Sequence, residues 1–182
     1  MTLYSPVAIL RIWLRNGGNT NSQTLVAACA VALAESGGQS TAIGPAGDYG
    51  LWQINRVNFA HFGVNSTTVL NPDTNARIAI AMSSNGYNWA AWCTAWADPG
   101  PNCGHGLLRF PQPHSSAWYR FDAAEAAASV ISPEHGPVPR PQRSPAIRSV
   151  AGAWADTQHY QNHGAPKQFA DLANLRTALR KV

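Results

Sequence analysis

Charge is scarce in this sequence. Only 12% of its 182 residues are Asp, Glu, Lys or Arg. That excludes a chain kept unfolded by self-repulsion, and it makes any carboxylate in apolar surroundings stand out. No run of Lys or Arg marks a nucleic-acid tract, so no nucleic-acid partner is expected. The net charge of +4 is spread along the chain. It reads as a solvated basic surface with an affinity for polyanions. Long apolar runs are missing as well, and no stretch is suited to span a bilayer. The run from Met1 to Leu14 is broken by basic residues (Arg11, with Arg15 just beyond). No small-residue cleavage site follows, so no signal peptide is read there.

Cysteine is equally sparse, at three. Cys29 falls in an apolar helical pattern and reads as a buried free thiol. Cys93 and Cys103 bracket a Pro/Gly-rich loop and are able to close it as a disulfide. The rival arrangement puts Cys93, Cys103, His105 and His114 around zinc, with a spacing that matches no standard finger. Neither a metal nor a cofactor is assigned.

Apolar material is plentiful, at 45% of residues, enough for the core of one ordinary domain. Residues 6–15 predict a helix, with Ser5 as N-cap, Pro6 in the first turn and Gly17-Gly18 as its stop. Ser22 is read as the cap of a second helix, in which Leu25, Cys29 and Leu33 recur every four residues and Gly37-Gly38 ends the run. Glu35 therefore falls in the last turn of a nearly all-apolar helix. Residues 39–50 are rich in small and turn-forming types and predict an irregular segment or short hairpin running into 51–55. Asn71-Pro72-Asp73 starts another helix, stopped at Gly86. Trp89, Trp92 and Trp96 recur at i, i+3 and i+7, which predicts a helical core stripe, a set of rings lining a sugar groove, or both. Residues 98–114 read as a loop and 118–131 as a helix. Residues 132–145 hold five of the 13 prolines and read as a linker. The expected organisation is a catalytic domain at 1–131, that linker, and a helical tail at 146–182 with a docking role.

Three stretches stand out chemically: Glu35-Ser36-Gly37-Gly38, Asp48-Tyr49-Gly50-Leu51-Trp52-Gln53-Ile54-Asn55, and Asn85-Gly86-Tyr87-Asn88-Trp89. Glycoside hydrolysis needs a carboxylic acid that stays protonated near neutral pH and donates to the leaving oxygen. An apolar helix end suits such an acid, because burial and the negative end of the helix dipole both disfavour the anion. Taken alone, a Glu near a helix end would more often be a solvated residue. The segment that follows it changes the balance.

Together these stretches resemble the lysozyme-like superfamily, which includes animal lysozymes, soluble lytic transglycosylases and many phage lysins. Asp48 to Asn55 is similar to the Asp-Tyr-Gly-x-x-Gln-Ile-Asn stretch of the animal C-type enzymes. Trp89-Ala-Ala-Trp92 resembles a Trp-x-x-Trp element of transglycosylase-type domains in actinobacterial phages and their hosts. The resemblance covers about residues 20–125. It implies a mainly helical α+β fold, with a cleft between a helical lobe and a small β-like element at 39–55. It implies Glu35 as general acid and Asp48 as second carboxylate. Ser36, Tyr49, Gln53, Asn55, Tyr87, Asn88 and Trp89 become the expected substrate-binding set. The implied substrate is the peptidoglycan glycan strand, cut between N-acetylmuramic acid and N-acetylglucosamine by a muramidase or a lytic transglycosylase. The implied setting is a phage virion or the host cell envelope, with other phage structural proteins as partners of residues 146–182. Two alternatives stay open: a non-catalytic wall-binding component on the same scaffold, and a chitinase- or chitosanase-like glycosidase.

Overall fold

The computed structural model describes residues 2–100 and 103–131 of the chain. The expected linker at 132–145 and tail at 146–182 lie outside the described residues. The fold is α+β and mainly helical. Helix α1 spans Pro6–Arg15, α2 Ser22–Ser36, α3 Phe59–Phe62, α4 Pro72–Met82 and α5 Phe121–Ile131. Short 3-10 helices lie at Arg56–Asn58, Thr68–Leu70, Cys93–Ala95 and Trp118–Arg120. Strands β1 (Asp48–Tyr49) and β2 (Ile54–Asn55) form a two-stranded antiparallel sheet that pairs Asp48 with Asn55 and Tyr49 with Ile54.

Helix α2 is the central element. Every residue from Thr24 to Ala32 is buried, and the small Ala side chains let α1 and α5 pack closely around it. Its N-cap is Asn21, one residue earlier than the sequence suggested, with the side-chain oxygen accepting from the Gln23 N–H. It ends at Gly37, whose left-handed backbone (φ 62°) lets its N–H bond back to the Leu33 carbonyl.

Beside α2 lies a tryptophan cluster. Trp13 packs on Trp52 and Trp89, with ring centroids 5.8 and 5.9 Å away, and Trp89 packs on Trp92 at 5.1 Å. Each indole N–H finds a backbone carbonyl: Trp52 donates to Ala28, Trp89 to Gly86 and Trp92 to Trp52. These rings tie α1, α2, the hairpin and the 89–96 segment into one core.

Two expectations are corrected. Helix α4 stops at Met82, four residues before Gly86, because Ser84 and Asn85 both adopt positive φ (51° and 59°) and turn the chain. The 89–96 segment is not a helix. The Trp89 N–H bonds to the Leu108 carbonyl, and only Cys93–Ala95 forms a 3-10 turn. Trp89 and Trp92 are core residues all the same.

Candidate active site

Glu35 sits in the last turn of α2 and is partly buried. Its Oε1 accepts a 2.6 Å hydrogen bond from the Thr94 hydroxyl, carried on the Cys93–Ala95 turn. Burial pushes the Glu35 carboxyl up to about 7; the Thr94 hydrogen bond works against that rise, and the negative charge of Asp48 adds to it. A carboxyl so placed holds a useful protonated fraction at neutral pH.

Asp48 stands at the start of β1, opposite Asn55 across the hairpin. Its Oδ1 accepts from the Asn55 amide at 2.8 Å. The other end of that amide caps the following turn through the Val57 N–H. Gln53, at φ 47°, donates from Nε2 to the Ala42 and Gly50 carbonyls. Gln53 and Asn55 thus shape the hairpin that presents Asp48. Tyr49 packs edge-on against Phe59 at 5.2 Å and remains partly exposed. Thr94 is hydrogen-bonded to Glu35, the charge of Asp48 reaches Glu35, and Gln53 and Asn55 shape the hairpin that bears Asp48.

Four expected ligand residues have other duties. The Ser36 hydroxyl donates to the Ala32 carbonyl and accepts from the Gly38 N–H, so its bonds finish the helix. Asn88 accepts from the Ala90 and Leu108 N–H groups and donates to the Gly106 carbonyl, which pins a loop. Trp89 is fully buried and presents no face to a ligand. Tyr87 is exposed, but its hydroxyl accepts from Asn19, just before the start of α2. Glu35 lies at the far end of that helix, about 20 Å away at 1.5 Å per residue.

Two residues escaped the sequence reading. Thr94 is a single hydroxyl in no motif, and nothing in the local pattern marks it. Asn75, fully buried on α4, holds the Tyr49–Trp52 backbone. A polar residue on the apolar side of a helix was its signal.

Cys93 and Cys103 are joined as a disulfide, which leaves neither thiolate for zinc. Among the described residues, no group of three or more His, Cys, Asp or Glu is placed to hold a metal ion. Among the same residues, no helix is long and apolar enough to cross a membrane.

The fold is mainly helical α+β, with a partly buried acid at the end of α2 and a second carboxylate on the small hairpin. Residues 14–94, which contain Glu35, Asp48 and Thr94, match the family model of the lysozyme-like domain, and that match supports a lysozyme-like assignment for this segment. A domain of this kind suggests peptidoglycan-cleaving activity in general. No curated protein and no solved structure matches the chain.

Proposed function

We propose that the protein cleaves peptidoglycan glycan strands at the β-1,4 bond between N-acetylmuramic acid and N-acetylglucosamine, with Glu35 as general acid. The observation that carries this reading is the state of Glu35: burial raises it to about 7 while Thr94 holds one of its oxygens. Because Oε1 is engaged, Oε2 is the oxygen that carries the proton. That proton passes to the bridging oxygen as the bond from C1 breaks. Asp48, whose charge already acts on Glu35, faces the cation that develops at C1. A hydroxyl then adds to C1 and returns its proton to Glu35. Supplied by water, it makes the enzyme a hydrolase; supplied by the muramoyl C6 position, it makes a lytic transglycosylase.

Mass spectrometry of digested cell walls tests the reading. Wild-type protein is expected to release soluble muropeptides and Glu35→Gln to release none. Reducing muramoyl ends identify water as the acceptor, and 1,6-anhydro ends the C6 hydroxyl. Equal release by the Glu35→Gln variant would overturn the proposal.

A further inference from the structure

We propose that Thr94 is a positioning residue for Glu35: its hydroxyl holds one carboxyl oxygen and so fixes the direction in which the other delivers its proton. The inference rests on the reading of Glu35 as the acid and concerns how that acid is aimed. A Glu side chain at a helix end has three rotatable bonds, and its terminal torsion is broad. Nothing on α2 itself restrains the carboxyl, since the neighbouring Ser36 hydroxyl is engaged with the helix backbone. The Thr94 hydroxyl, 2.6 Å from Oε1, supplies the restraint.

The turn bearing Thr94 is itself held on every side. Its carbonyl accepts from the Ala117 N–H at 2.8 Å, and the adjacent Ala95 carbonyl accepts from the Gln112 N–H at 2.8 Å. Two residues earlier, the Trp92 indole donates to the Trp52 carbonyl at 2.7 Å, which links the turn to the Asp48 hairpin. Immediately before Thr94, the Cys93–Cys103 disulfide anchors the chain. A hydroxyl on so constrained a backbone can orient a carboxyl at little further entropic cost. Tyr87, one of the expected substrate-binding residues, is bonded to Asn19. Thr94 is the residue that holds the acid.

The hydroxyl and the burial act on Glu35 in opposite senses, so loss of the hydroxyl raises the pH at which Glu35 ionises. Among the described residues, the charged groups on the elements packed against α2 are Arg11 and Arg15 on α1, Arg120 before α5, and Asp122 and Glu125 on α5. The charge that acts on Glu35 is that of Asp48, on β1.

Thr94→Val removes the hydroxyl and keeps the volume, while Thr94→Ser keeps the hydroxyl. The test measures the Glu35 carboxyl-carbon titration by NMR and the rate of glycan release against pH for both variants. In Thr94→Val the titration midpoint and the alkaline limb of the rate are expected to move upward together. The rate at the optimum should fall by about ten- to a hundredfold through loss of aim. Thr94→Ser should restore both. A Thr94→Val midpoint equal to that of wild type would overturn the proposal, as would a Thr94→Ser variant as impaired as Thr94→Val. The two readings fail separately. An active Glu35→Gln variant, with the Thr94→Val shift present, removes Glu35 as the acid. An inactive Glu35→Gln variant, with no shift in Thr94→Val, removes Thr94 as its positioner.

Discussion

The backbone N–H of Trp52 donates to the side-chain oxygen of Asn75 at 2.9 Å, across 23 residues of chain. The same Asn75 amide donates from its nitrogen to the Tyr49 carbonyl at 2.8 Å and the Val69 carbonyl at 3.0 Å. One buried side chain on α4 thus clamps the segment that carries Asp48. Gly50 (φ 79°) lies directly against it, and a Cβ at that position would collide with the Asn75 amide.

Asn75→Ala should therefore be costly. It leaves buried backbone groups without partners, each worth about 1–3 kcal/mol, so a total loss of about 3 kcal/mol or more is expected. Urea unfolding measures it. A loss below about 0.5 kcal/mol, the range of ordinary surface substitutions, would contradict the clamp.

The disulfide gives a second expectation. Closing the short loop from Cys93 to Cys103 should stabilise the fold by about 3 kcal/mol on chain-entropy grounds. Reduction is expected to lower the melting temperature and, because Thr94 adjoins Cys93, to lower activity below the melting range as well. Thermal melts and glycan-release rates with and without reductant check both. An unchanged melt on verified reduction would contradict the expectation.

Cys29 is buried in α2, and burial pushes its thiol up to about 12. In the oxidised native protein, a thiol reagent at pH 8 should find no reactive group. In denaturant it should find one. A native protein that reacts at once would contradict the burial.

The helices were legible in the sequence because their ends carry local chemistry. Ser5 and Pro6 open α1, Asn71 and Pro72 open α4, and Gly37 closes α2. The hairpin was legible as a change from apolar periodicity to small and turn-forming residues. Trp89, Trp92 and Trp96 misled on secondary structure because their spacing suits a helix equally well. What holds them is long-range: the Trp89 N–H on Leu108, the Trp92 indole on Trp52, and the disulfide. Ser36 and Asn88 carry groups capable of binding sugar, and only the fold reveals that the backbone already uses them. Thr94 was invisible for the same reason, since its importance lies in a contact 59 residues away in sequence.

Stability should depend on pH through Glu35. Its folded carboxyl ionises at about 7, above the ordinary 4.5, so between those values the folded state holds a proton that the unfolded chain has released. Stability therefore falls as pH rises from about 4.5 to 7 and levels off above. Glu35→Gln, neutral at every pH, should abolish this slope and be more stable than wild type above pH 7, by up to about 3 kcal/mol. Denaturant unfolding of both proteins across that range checks it. A parallel pH dependence in the two would contradict the assignment.

The most direct test of the central claim is the rate of glycan release from purified peptidoglycan by wild-type protein as pH is raised. With Glu35 as the acid, the rate should fall along a single limb with its midpoint near pH 7, where Glu35 loses its proton. A rate that stays flat through that region would contradict Glu35 as the proton donor.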